Sequence, residues 1–235
     1  MNNHQIIKSS NHQIIYEDNH LIAAIKKSGQ TVQPEPNKPQ SLEEDVKAYI
    51  KIKYDKPGDV FLGVIHRLDM PVSGIVLFAK TSKALARMNE LFHDRNVKKF
   101  YFAKVEHKPP HATDLITHFL KRDEKKNFTK AFVSEVKDGL KAQLKYEVIE
   151  SKGIFSILKI ELLTGRKHQI RAQLSAIGCP IAGDVKYGAT KVRQTHNASD
   201  GLHTQSICLH AAELIFEHPV KKEMVHLKSN HPKWN

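Results

Sequence analysis

The chain reads as an α+β protein with a mixed, largely antiparallel central sheet flanked by helices and loops. Apolar residues alternate with polar ones in hairpin-spaced stretches, most plainly at Ala142, Leu144, Tyr146 and Val148. Helical stripes are few and short. No internal repeat or low-complexity tract divides the 235 residues, a length that suits one substantial core.

In chain order, residues 1–12 form a polar tail, and residues 13–235 are expected to make a single domain. Residues 14–26 read as two strands around an Asp18-Asn19 turn. Pro34, Pro36 and Pro39 keep residues 30–40 extended. Ser41 with Glu44 makes a capping box, followed by a stripe of Leu42, Val46, Tyr49 and Ile50. A polar island, Gly63 to Gly74, sits between Val64-Ile65 and the apolar strand Ile75–Ala79, and Pro71 and Gly74 make it a loop. Ser82 caps a second helix with Leu85, Met88, Leu91 and Phe92 on its apolar face. Strand Phe100–Val105 follows a basic stretch, and the charge-rich residues 107–130 read as a solvated loop, with an RNA clamp as the alternative. A hairpin returns through Ile154–Leu163. Thr164-Gly165 then turn the chain into a helix from about Arg166 to Ile177, closed by Gly178 and Pro180. Its core face is Ile170, Leu174 and Ile177, which leaves His168 and Arg171 on another face. Residues 186–206 read as a mobile surface loop, and Ile207–Phe216 as a closing strand.

The charge balance narrows the partner. Lys and Arg number 37 against 25 Asp and Glu, a net charge of +12 that favours a polyanion. Apolar runs of about five residues are far short of the ~20 that span a bilayer, and the N-terminus lacks an apolar signal core. Cys179 and Cys208 form no Cys-x-x-Cys pair. These features fit a monomer in a reduced cytoplasm, acting on nucleic acid rather than a membrane. Fifteen histidines invite a metal, but Pro109 and Pro110 break the helix that would align His107 with His111. No metal and no cofactor is expected; there is no Gly-x-Gly-x-x-Gly and no P-loop for a nucleotide.

Within the island, Asp69 follows Arg67 and Leu68. A carboxylate on a loop at the edge of a core is a common place for catalysis, yet an Arg67–Asp69 ion pair explains the two residues more simply. Taken alone, the island favours the ion pair.

The wider pattern favours catalysis. Gly63-Val64-Ile65-His66-Arg67-Leu68-Asp69 with Ser73-Gly74 resembles the signature loop of the RluA-type pseudouridine synthases. Four further stretches resemble that family in its order: Ile14–Asp18 with Leu21–Ala24; Lys98–Ala103; Leu163–Arg171 with Gly178–Asp184 and Tyr187-Gly188; and Leu209–Ala212 with Phe216–Pro219. Two departures are Val72, where the family often has Thr, and Lys27-Ser28-Gly29, where it often has Lys-Pro-Ser-Gly. The resemblance implies the family fold, a sheet crossed by an active-site cleft. The matched pattern begins by residue 14, so no small N-terminal RNA-binding domain is expected before it.

The implied reaction isomerises uridine in structured RNA, rRNA or tRNA: the base leaves the ribose, turns, and rejoins through its carbon five. The resemblance assigns Asp69 as the catalytic carboxylate, Arg171 as the cation that pairs with it, and Tyr101 as the ring stacked on the base. It gives Arg67 the space left by the flipped nucleotide, while His66 reads as a packed loop histidine. Lys98, Lys99, Arg166, Lys167 and His168 are candidates for the RNA path. Two alternatives stand beside it. One is a catalytically silent RNA-binding module. The other is a two-carboxylate hydrolase using Asp184 as its second acid, although a turn aspartate is the simpler account of that residue.

Overall fold

The computed structural model describes residues 8–9, 12–36, 40–190 and 206–234. Most of the expected N-terminal tail, Pro39 and the greater part of the 186–206 loop lie outside them. The chain forms two compact units, residues 1–97 with 213–230, and residues 98–212 with 231–235.

In the first unit, β1 (Lys8–Ser9), β2 (His12–Glu17), β3 (Leu21–Lys26) and β5 (Ser73–Ala79) pair in that order, and β4 (Gly63–Val64) pairs with β5. Each of these ladders is antiparallel. β3 and β5 are buried along nearly their whole length, which is why they read as continuous apolar runs rather than alternating ones. The second half of β11 (Leu209–Glu217) turns back through His218–Glu223 into β12 (Met224–Lys228). A core of Leu21, Ala23, Ile75, Leu77, Met88, Leu214 and Phe216 joins these strands to α2 (Ser82–His93). α1 (Leu42–Lys53) begins at Ser41, whose Oγ accepts the Glu44 amide, as its capping box predicts. α2 is capped one residue earlier than expected: Thr81 Oγ1 accepts the Ala84 amide, and Ser82 is already helical. Glu17 ties α1 to the strands through Tyr49, Lys53, Tyr54 and Lys80.

In the second unit, β6 (Lys98–Glu106), β10 (Phe155–Leu162), β9 (Leu140–Lys152), β7 (Thr113–Asp123) and β8 (Phe128–Phe132) pair antiparallel in that order. α3 (Gln169–Ala176) packs on β7 and β8. Two expectations are corrected here. Residues 107–130 are not a solvated loop; most of them form β7, a four-residue turn and the start of β8. Ile116, His118 and Leu120 alternate inward beneath the charges that masked them. The expected helix from Arg166 also begins late. The Gln169 side chain accepts the Arg166 amide and the Thr164 hydroxyl and donates to the Gln143 carbonyl. That keeps Thr164–Lys167 in a tight non-helical turn, and His168 enters α3 with φ 53°.

These ladders and helices make an α+β fold of largely antiparallel strands, as the sequence predicts. Gly63, which opens the polar island, packs flat against α2: a Cβ there would stand 2.8 Å from Leu85 Cδ2 and 3.2 Å from Leu85 Cβ. Gly63→Ala is therefore expected to lower stability by about 1–3 kcal/mol through overpacking. Adding Leu85→Ala should cancel part of that loss, so that urea unfolding of the double variant shows less than the sum of the single costs.

Candidate active site

The island runs from β4 to β5 as an open connection that several contacts hold in place. His66 is held: its Nε2 accepts the Leu77 amide at 3.0 Å, and its ring stacks on Phe92 at 5.1 Å. That nitrogen carries no proton, which fits the packed histidine expected here. Leu68 is buried. Between and beyond them Arg67 is exposed and Asp69 half-buried. The Asp69 carbonyl accepts the Val72 amide at 3.0 Å, closing a tight turn over Met70 and Pro71.

That turn is fastened from below by the segment after β3. Gly29 N–H donates to the Met70 carbonyl at 2.8 Å, and Ser28 Oγ donates to the Pro71 carbonyl at 2.7 Å. Gly29 adopts φ 84°, a conformation glycine accepts without strain. The main fastening is Lys26, the last residue of β3, which has no exposed surface. Its Nζ donates to the carbonyls of Lys27 at 3.0 Å, Gln30 at 2.8 Å and Met70 at 3.0 Å. Burial pushes the Lys26 ammonium down to about 7, against the opposing pull of the Asp69 carboxylate.

The other predicted residues belong to the second unit. On β6, Lys99, Tyr101 and Ala103 share one face; Ala103 is buried, Lys99 and Tyr101 are half-buried, and Lys98 is exposed at the strand's start. Lys99 Nζ lies 3.8 Å from where a Cβ on Gly165 would stand, so this strand and the Thr164–Lys167 turn are neighbours. Lys167 is exposed and Arg166 half-buried. His168 does not present itself to phosphate: it is 7% exposed, and its Nδ1 shares a 2.9 Å hydrogen bond with the Tyr187 hydroxyl.

Arg171 is not a surface residue of α3. It is 6% exposed, and its Nε and Nη2 donate to the two Asp184 oxygens at 2.6 and 2.8 Å. The Tyr187 ring lies 4.7 Å from the guanidinium carbon. Both Asp184 oxygens are occupied, so Asp184 is not a free second acid for hydrolysis. Among the described residues no group of three His, Cys, Asp or Glu is placed to hold a metal ion, and no helix is long and apolar enough to cross a membrane.

Sequence reasoning passed over Lys26, and it gave Asp184 and Tyr187 no part in holding Arg171. The signal for Lys26 was a cation closing an apolar strand, Leu21–Ile25, in phase with Ile22 and Ala24. For the other two it was an acid and an aromatic a few residues beyond α3.

Lys26 gives a pH test. Its folded pKa lies below its ordinary 10.5, so the folded chain holds this proton less tightly than the unfolded one. Stability should therefore rise with pH between about 7 and 10.5. The slope from this group approaches about 1.4 kcal/mol per pH unit. Lys26→Met removes the titrating group, so urea unfolding should show a flatter pH dependence than wild type. Parallel curves would contradict the reading that burial disfavours the charged form of Lys26.

Comparison with known proteins agrees with the signature. A family described as RNA pseudouridylate synthase matches residues 20–176. An uncharacterized RNA pseudouridine synthase of Chloroflexus aurantiacus is 34% identical over 196 residues, 83% of this chain and 58% of that protein. The ribosomal large subunit pseudouridine synthase C of Escherichia coli is 31% identical over 180 residues, 74% of this chain and 54% of that one. The chain thus spans about half the length of the curated relatives it matches. The solved structure of human RNA pseudouridylate synthase domain containing 4 shares the fold, with a TM-score of 0.74 at 24% identity over 94% of this chain and 88% of that one. By its signature loop, its fold and these relatives, the chain belongs to the RNA pseudouridylate synthase family, of RluA type.

Proposed function

We propose that this protein is an RNA pseudouridine synthase that isomerises uridine, with Asp69 as its catalytic carboxylate. The observation that carries the reading is the island itself. His66, Leu68, Met70 and Pro71 are all held, by hydrogen bonds or by burial, and the half-buried acid among them sits on that fixed turn. A side chain held by the packing of its neighbours is what a positioned reactive group requires.

The chemistry needs an ionised carboxylate at the ribose and a place for the detached base. Asp69 supplies the first. Tyr101 is assigned the second, because a π-face accepts any flipped pyrimidine. Arg171 supplies a positive charge that persists at any working pH. Arg67, exposed beside the acid, is assigned to the gap a flipped nucleotide leaves. Lys98, Lys99, Arg166 and Lys167 are assigned to phosphates, a role that needs charge and little geometry. The names of the relatives favour large-subunit ribosomal RNA as the substrate, and tRNA remains the alternative.

The test is tritium release from RNA labelled at carbon five of uridine, using ribosomal RNA and tRNA from cells that lack the protein. An isomerase releases tritium and leaves the base attached to the chain. Free uracil would instead indicate a hydrolase, and neither product would indicate a binding module; either result would overturn the proposal.

A further inference from the structure

We propose that Asp184 and Tyr187 are positioning residues that fix the direction of the Arg171 guanidinium for the isomerisation, an inference that rests on the synthase reading above. Arg171 is constrained on two sides. Asp184 holds the edge formed by Nε and Nη2 with both its oxygens. The guanidinium carbon lies over the Tyr187 ring, 4.7 Å from its centre. With that edge held by both carboxylate oxygens and its carbon seated over the ring, the guanidinium has little freedom to roll or swing, so its outer edge points in one direction.

The two holders are themselves held. Asp184 donates its amide to the Ile181 carbonyl at 2.9 Å, and its own carbonyl accepts the amides of Tyr187 at 2.9 Å and Ala189 at 3.1 Å. Gly183 at φ 84° and Gly188 at φ 95° let the chain turn tightly on either side. The Tyr187 ring stacks on Phe128 at 4.6 Å and meets His168 edge-on at 5.7 Å. Its hydroxyl accepts the Thr129 amide at 2.9 Å and bonds His168 Nδ1. Thr129 in turn donates its hydroxyl to the Lys167 carbonyl at 3.0 Å. One strand residue therefore fixes both the arginine's cover and the basic turn assigned to RNA.

A purely structural buried cation needs a counter-charge, and the Asp184 carboxylate would be enough for that. The added constraint on the guanidinium plane, and its link through Thr129 to the basic turn, is what a reaction dependent on orientation needs. Misplacing a catalytic group by about 1 Å is enough to cost ~100-fold in rate.

The test uses the full chain under single turnover with saturating ribosomal RNA, alongside RNA affinity and urea unfolding. Wild-type conversion secures the synthase reading; its absence overturns that reading and this inference with it. Asp184→Asn is expected to lose roughly 100-fold in rate while RNA affinity stays nearly unchanged. In an Arg171→Lys background the same substitution should cost little more, because Asp184 acts through that arginine. Tyr187→Phe keeps the ring over the guanidinium and removes only its hydroxyl bonds; it should fold and still lose roughly tenfold. An Asp184→Asn protein at wild-type rate, or losses that multiply independently of Arg171→Lys, would overturn the proposal. Should Asp184→Asn fail to fold, Tyr187→Phe decides, and a wild-type rate there would overturn it.

Discussion

Lys26 carries an ammonium group to a place that water does not reach, and the first unit is arranged around that fact. An isolated charge in such a site is costly unless every proton is met. Three carbonyls meet the three protons of the charged form, and one of them belongs to Met70, the residue after Asp69. The end of β3, the Ser28-Gly29 bend and the Asp69 turn are thereby fixed to a single point. Asp69 lies within electrostatic reach of the lysine, and its carboxylate favours the charged ammonium that shapes the turn.

The second unit meets a similar need with different chemistry. Its buried cation is an arginine, and its partners are a carboxylate and an aromatic face. The difference follows from side-chain shape. An ammonium is compact and directs three protons to separate acceptors, whereas a guanidinium is planar and matches a carboxylate along an edge and a ring along a face. The lysine is suited to gathering backbone from several directions, and the arginine to presenting a fixed plane.

Much of this was legible in the sequence, for definable reasons. Ser41 announced α1 because a cap and its stripe are local features. The island declared itself because Pro71, Gly74 and its apolar flanks are local too, and the order of the matched stretches carried the family. What escaped were features decided by tertiary partners. The β7–β8 hairpin hid because charged outward residues outweighed a three-residue inward alternation. The late start of α3 depends on Gln169 reaching back to Thr164 and across to Gln143, which no propensity reports. Lys26 went unnoticed at the end of its strand because the carbonyls that satisfy it come from three loop residues, one of them 44 positions away. The helical stripe placed Arg171 off the apolar face and gave no sign that Asp184, thirteen residues on, would hold it.

The assignment of Asp69 as the catalytic carboxylate is the claim on which the functional account turns. Its most direct test is single-turnover pseudouridine formation by Asp69→Asn on an RNA that the wild type converts, with RNA binding measured on the same samples. The amide preserves shape and removes the charge, so the account predicts no detectable conversion with RNA affinity close to wild type. Conversion at a rate near that of the wild type would contradict it.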